Sequence, residues 1–172
     1  MQSSHLPKIL ILTASFGEGH NAAARNILKA LEGKADVRLA DPCLEAQPRF
    51  NRKLRQAYQL VITHTPTFWA LLYYGMDRVN LNKPSKILTR KPEETTYRHI
   101  EEFKPDAIVT TYPLYPSYIE RAFKTLPRVP VFTMITDSIK INKTWTTAPS
   151  DFYLITDKFT EQSVKNKNTL PD

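Results

Sequence analysis

Short apolar runs alternate with longer amphipathic stretches along most of the chain. Continuous apolar runs predict buried strands at residues 8–14, 37–40, 107–111, 129–135 and 152–156. Apolar positions repeating on one helical face predict helices at residues 21–31, 49–63, 93–103, 116–124 and 157–168. Strands of this kind, separated by helices, are typical of a sheet that is buried on both faces. The pattern therefore predicts a doubly wound α/β fold with a mostly parallel sheet.

Residues 49–92 interrupt this alternation. After the helix at 49–63, an unusually aromatic helix is predicted at residues 68–74, and residues 80–92 are predicted to form a loop because they hold two prolines and no clear period. We interpret residues 1–172 as one domain that carries a basic, aromatic insertion at 49–92.

The composition agrees with one folded domain. Of the 172 residues, 41% are hydrophobic and 24% are charged. The single cysteine, Cys43, cannot form a disulfide within the chain, which fits a reducing compartment. No apolar stretch approaches the roughly 20 residues of a spanning helix, and no signal peptide is visible. If the protein meets a membrane, we expect it to be peripheral, on the cytoplasmic face.

The positive charge is concentrated in one region. The chain has a net charge of +7, and residues 49–90 hold eight Lys or Arg against one acid. Cations interleaved with Trp and Tyr favour an anionic membrane surface. Candidate membrane-binding residues are Arg52, Lys53, Arg55, Trp69, Tyr73, Arg78, Lys83 and Lys86. Two alternatives remain: a solvated face whose aromatic rings pack on the sheet, and a nucleic-acid site, which is not expected because no known nucleic-acid motif surrounds the patch.

Three loops are candidates for the functional site. Ligands of such sheets bind beyond the carboxyl ends of the strands, where residues 15–20, 110–116 and 136–145 lie. In the first loop, Gly17 and Gly19 are expected to allow close backbone approach and positive φ. His20 is expected at a helix N-terminus, where an imidazole can take a proton near neutral pH. No metal is expected, since the four histidines lack ligand spacing.

The first loop also permits two other interpretations. Gly17-x-Gly19-x-x-Ala22 formally matches the dinucleotide-binding fingerprint, with Asp41 near the position of a ribose-binding acid. However, Ser15 and Phe16 intervene between the strand and the first glycine. A tight turn with a solvated histidine is the simplest interpretation.

A family resemblance distinguishes among these interpretations. Residues 10–24, which include Ser15-Phe16-Gly17-Glu18-Gly19-His20, resemble the opening motif of the monogalactosyldiacylglycerol synthase and processive diacylglycerol glucosyltransferase family. Residues 104–113, Thr136-Asp137, Trp145 and residues 151–153 are similar to later motifs of that family, in the same order. Two positions differ, because Tyr112 and Asn142 stand where the family usually has histidine.

The resemblance implies the N-terminal, acceptor-side half of a GT-B glycosyltransferase built from two Rossmann-like domains. The implied reaction transfers a hexose from UDP-glucose or UDP-galactose to the hydroxyl of diacylglycerol at the membrane surface, with no cofactor. The implied C-terminal domain, which would bind the UDP-sugar, is absent from this chain, so the chain alone is not expected to catalyse the transfer. Anionic membrane lipid is the other expected partner.

The resemblance also implies site residues. His20 is the candidate base or acceptor-positioning group, and Asp137 could orient a histidine, accept a proton or simply cap a turn. Candidate acceptor-binding residues are Ser15, Gly17, Glu18, Gly19, Tyr112, Pro113, Asn142 and Trp145, although a solvated loop acid is the favoured interpretation of Glu18. Two further functions stay open: a non-catalytic lipid-binding or regulatory module, and a glycosyltransferase acting on a polyprenyl-linked precursor.

Overall fold

Five parallel strands form the centre of the part of the chain that the structure describes. The computed structural model describes residues 6–64, 86–137, 141, 143–146 and 148–167. The strands are β1 (Lys8–Leu12), β2 (Asp36–Ala40), β3 (Ala107–Thr110), β4 (Val131–Met134) and β5 (Phe152–Leu154). They pair in the order β2-β1-β3-β4-β5, and every pairing is parallel. The predicted doubly wound α/β sheet is therefore confirmed.

The described helices connect these strands. They are α1 (Glu18–Ala30), α2 (Pro42–Ala46), α3 (Pro48–His64), α4 (Lys86–Phe103), α5 (Tyr115–Ala122) and α6 (Lys158–Lys167), with a 3-10 turn at Lys143–Thr146. Each helix predicted within the described residues is present, with shifted ends. Helix α2 and the 3-10 turn were not predicted, and the aromatic helix expected at 68–74 lies outside the described residues.

Side chains of β1 point alternately to two hydrophobic layers. Leu10 and Leu12 are fully buried with Ile100 of α4 and Ile119 of α5 on one face. Ile11 is fully buried on the opposite face with Ala24 of α1. Because both faces of this strand are covered, its sequence is a continuous apolar run rather than an alternating one.

Two sequence predictions need correction. Residues 86–92 are helical, not a loop, because Pro92 removes one N–H donor from α4 without ending it. The side chains of Arg90 and Glu94 form an ion pair of 2.7 Å across this proline, and the following turns pack on the core. The absence of a clear period around the prolines therefore did not mark a loop.

The second correction concerns the first loop. Helix α1 begins at Glu18, so Gly19 and His20 lie in its first turn. Gly17 is the N-cap in extended conformation, with φ −146°, and neither it nor Gly19 adopts positive φ; Gly33 does, at φ 70°. An acidic residue suits the first turn because it faces the positive end of the helix dipole.

The strand order defines a crevice. β1 has β2 on one side and β3 on the other, so the connections diverge at the carboxyl ends of β1 and β3. The segments that follow β1, β3 and β4 meet at this edge. Within the residues described, no helix combines the length and apolar character needed to cross a bilayer.

Candidate functional site

The imidazole of His20 lies where three strand ends converge. Its Nδ1 atom is 2.9 Å from the Oγ1 atom of Thr136, which follows β4. Its ring packs edge-on against Tyr112 after β3, with centroids 5.3 Å apart, and lies 5.9 Å from the ring of Trp145. The structure thus brings together residues from all three loops that the sequence singled out.

Burial favours the neutral form of this imidazole. Desolvation lowers the pKa of His20 below its usual value, and this effect exceeds the opposing influences of the Thr111 backbone and the Asp137 carboxylate. The position of His20 in the first turn of α1 also disfavours a positive charge. A neutral imidazole is the form that can accept a proton.

The carboxylate of Asp137 is held by the indole of Trp145. The Nε1 atom donates to Oδ2 over 2.8 Å, and Trp145 is only 1% exposed. Trp145 sits in the 3-10 turn and packs with Ile135 and Ile141. This hydrogen bond keeps a negative charge near His20, where it favours the protonated imidazole.

Aromatic side chains form a wall next to the imidazole. Tyr112 stacks on Phe16 at 5.6 Å and meets Tyr115 edge-on at 5.5 Å. Burial raises the pKa of Tyr112 well above its usual range, so its phenol stays neutral. Pro113, the next residue, is half-buried. Tyr112 therefore supplies packing where the resembled family usually has an ionisable histidine.

Two hydroxyl-bearing residues of this site were missed from the sequence. Thr136 contacts His20, and the Tyr115 hydroxyl donates to the Thr13 carbonyl over 2.9 Å. Thr136 belongs to the Thr136-Asp137 motif that resembles the family, so the sequence did carry a signal for it. Tyr115 had none, since its role depends on α5 packing across the end of β1.

Asp41 is engaged with backbone rather than open to a ligand. Its Oδ2 atom accepts the Ser15 N–H over 2.8 Å, and its Oδ1 atom accepts the Leu44 N–H over 2.9 Å. The carboxylate thus caps α2 and fixes the loop after β1. Both bonds argue against Asp41 as a ribose-binding acid.

The remaining residues of the first loop are accessible. A Cβ atom at Gly17 or Gly19 would meet its nearest neighbour at 3.7 or 3.9 Å, which is ordinary contact. Glu18 is exposed and pairs with Arg25 at 3.2 Å, as the solvated-acid interpretation expects. Neither glycine is required by packing in the described structure.

A cavity of about 400 Å³ opens beside the aromatic wall. It lies between the loop after β1, the start of α2 and one side of α3. Its lining residues are Ser15, Phe16, Asp41, Cys43, Leu44, Pro48, Asn51, Arg52 and Arg55. The cavity therefore connects a predicted acceptor-binding residue with two predicted membrane-binding cations.

Only part of the basic segment is described. Arg52 and Lys53 are exposed on α3 and Arg55 is half-exposed. Large apolar side chains are exposed on the same helix, with Phe50 at 46% and Leu60 at 61%. The predicted residues Trp69, Tyr73, Arg78, Lys83 and Asn142 lie outside the described residues, as does the side chain of Lys86.

Comparisons with known proteins identify the family. The family model described as monogalactosyldiacylglycerol (MGDG) synthase matches residues 20–172. The chain belongs to the monogalactosyldiacylglycerol synthase family. No solved structure gives a significant match to the chain.

Three curated relatives carry the name processive diacylglycerol beta-glucosyltransferase. The chain is 25% identical to the protein of Bacillus licheniformis over 167 residues, 24% to that of Bacillus subtilis over 168 and 26% to that of Bacillus pumilus over 168. Each alignment covers 95% of this chain but 43% of the relative. The chain thus spans less than half the length of the relatives it matches. Its parallel, Rossmann-like sheet is consistent with the N-terminal domain of a GT-B glycosyltransferase.

Proposed function

We propose that this chain forms the acceptor domain of a glycosyltransferase that moves a hexose from a UDP-sugar to the free hydroxyl of diacylglycerol. The neutral, partly buried imidazole of His20 at the switch point of the sheet carries this proposal. Family membership supports it, as do the names of the relatives. The UDP-sugar would be bound mainly outside the described residues.

In this reaction the acceptor oxygen bonds to the anomeric carbon of the hexose, the bond from that carbon to UDP breaks, and the acceptor hydroxyl loses its proton. His20 would accept that proton. The Thr136 hydroxyl and the backbone of Thr111 both contact the imidazole, so the acceptor hydroxyl would replace one of these partners. Asp137 would then stabilise the imidazolium that forms, because its carboxylate already favours the protonated ring.

The lipid acceptor has to be reached at a membrane surface, for which we propose the cytoplasmic face. Helix α3 supplies two exposed cations, Arg52 and Lys53, and two exposed apolar side chains, Phe50 and Leu60. Cations attract anionic headgroups by about 1 kcal/mol each near the surface, and an apolar helix face can enter the interface. The cavity beside Phe16 would admit the glycerol end of the lipid from this side.

The test is hexose transfer by the full-length gene product to diacylglycerol in vesicles, with labelled UDP-glucose and UDP-galactose in parallel. His20→Ala is expected to lower the rate by a factor of about 100 or more, since general bases contribute roughly this much. Flotation with vesicles containing anionic lipid should be unchanged. Lys29→Ala, at the exposed far end of the same helix, is the matched control and should retain full activity.

A different experimental outcome would refute each part of the proposal. Equal transfer by His20→Ala and the wild type would eliminate the imidazole as a base. Vesicle binding without any transfer from either sugar would instead indicate a lipid-binding module. Transfer only to a polyprenyl-linked acceptor would reassign the substrate.

A further inference from the structure

Asp41 joins two segments that follow neighbouring strands. Because β1 and β2 pair with Leu12 opposite Ala40, the residues after each strand lie side by side. One carboxylate oxygen of Asp41 accepts the Ser15 N–H at 2.8 Å and the other accepts the Leu44 N–H at 2.9 Å. The carboxylate is thus a two-oxygen clamp between the loop after β1 and the start of α2.

The clamped loop forms part of the wall around the imidazole. Phe16, the residue after Ser15, stacks on Tyr112, and the Tyr112 ring meets the ring of His20 edge-on. A shift of the Ser15 backbone would therefore move Phe16 and, through Tyr112, the surface against which His20 packs. Phe16 and Ser15 also line the adjacent cavity.

We propose that Asp41 is a positioning residue for His20. By holding the Ser15 backbone, it fixes the Phe16–Tyr112 wall and with it the orientation of the imidazole relative to an acceptor in the adjacent cavity. This inference deepens the proposed function and rests on it, since it assigns Asp41 to the reaction through His20.

The role requires a carboxylate and not merely a polar side chain. Two N–H donors point at two different oxygens, and both must be accepted. An asparagine offers one oxygen and one NH₂ group, so one backbone N–H would face another donor. Asparagine and serine remain good helix N-caps. Asp41→Asn and Asp41→Ser can therefore keep the cap on α2 while losing the bond to Ser15.

Glu45 supplies a matched control. Its Oε1 atom accepts the Asp41 N–H at 3.1 Å and its Oε2 atom lies 2.7 Å from Nε2 of His99. Glu45→Gln alters a charge one turn away on the same helix. It leaves both carboxylate oxygens of Asp41 bonded, so it should leave the wall around His20 in place.

The experiment has two arms. In the first, NMR of the 172-residue chain follows the imidazole signals of His20, whose shifts report the rings of Tyr112 and Trp145. Asp41→Asn and Asp41→Ser should both move these signals, and Glu45→Gln should not. In the second arm, both Asp41 variants of the full-length gene product should show about a tenfold lower kcat, with KM for the UDP-sugar unchanged.

The outcomes separate the two proposals. If the wild type transfers no hexose but the His20 signals respond as expected, the proposed function fails and the positioning contact stands as a structural link without a reaction. Unmoved His20 signals in both Asp41 variants would overturn the positioning role. A loss of kcat in Glu45→Gln equal to that in the Asp41 variants would also overturn it, because the effect would then belong to α2 as a whole. Unfolding of both Asp41 variants would overturn it as well.

Discussion

The hydrogen bond between Trp145 and Asp137 allows the energetics of the site to be measured directly. Trp145→Phe keeps an aromatic ring but removes the Nε1 donor that lies 2.8 Å from the carboxylate. Because Trp145 is 1% exposed, water cannot simply take the place of the lost group. The substitution should therefore destabilise the fold and remove the indole hydrogen bond from the carboxylate.

The expected decrease in the free energy of unfolding of Trp145→Phe has two contributions. A hydrogen bond to a charged group contributes about 1.5–3 kcal/mol, and the half-buried position of Asp137 favours the lower end. The lost part of the indole leaves a void of roughly 40 Å³, which costs about 1 kcal/mol. We expect a decrease in the free energy of unfolding of about 2.5 kcal/mol, or roughly 5–10 °C in Tm for a chain of this size.

A double-mutant cycle isolates the pair. Urea unfolding of the wild type, Trp145→Phe, Asp137→Ala and the double variant is followed by circular dichroism, since tryptophan fluorescence changes with the substitution. The coupling free energy should be about 1.5–2 kcal/mol. Phe159→Leu, at a residue 68% exposed, controls for loss of an aromatic ring and should change stability by less than about 0.5 kcal/mol. Additivity of the two single variants within about 0.5 kcal/mol would refute the reasoning.

Two further predictions concern the imidazole and the glycines. NMR titration should give His20 a pKa below its usual value, and Asp137→Asn should lower this pKa further because the carboxylate raises it. A lowered folded-state pKa means that the contribution of His20 to stability is complete above about pH 6.5 and is lost as the pH falls below that value. An unchanged or raised pKa in Asp137→Asn would contradict the proposed electrostatics. Gly33→Ala should destabilise the chain by about 1–2 kcal/mol in urea because φ is 70°, whereas Gly19→Ala should not, since its Cβ would lie 3.9 Å from Thr136. If Gly19→Ala preserves stability but slows transfer, the acceptor approaches the backbone there; equal losses at both glycines would contradict the strain argument.

The sheet could be predicted because its physics is local. A strand buried on both faces must be apolar along its length, and residues such as Leu10, Ile11 and Leu12 show this directly. The position of the site followed from the same pattern, since loops after parallel strands meet at one edge. The family motifs then distinguished His20 from the other histidines.

Other features depended on contacts that no local pattern encodes. Thr136 and His20 are 116 positions apart, and only the order of the strands brings their side chains within 2.9 Å. The sequence suggests Asp41 only as a ribose-binding acid, because its carboxylate bonds to Ser15 and Leu44 depend on the β1–β2 register. Pro92 is one of the two prolines that predict a loop, but one missing N–H does not outweigh the remaining bonds and packing of an 18-residue helix.

Burial and charge act on the imidazole in opposite directions, and the proposed reaction needs both. A base that is already protonated cannot accept a proton, so desolvation of His20 prepares the neutral form. Once the proton has been taken up, the same desolvation would destabilise the imidazolium, and the Asp137 carboxylate opposes that penalty. Trp145 holds this carboxylate in place through Nε1. Losing the indole donor should therefore affect the charged state of His20 more than its neutral state, which makes kcat more sensitive than acceptor binding to Trp145→Phe.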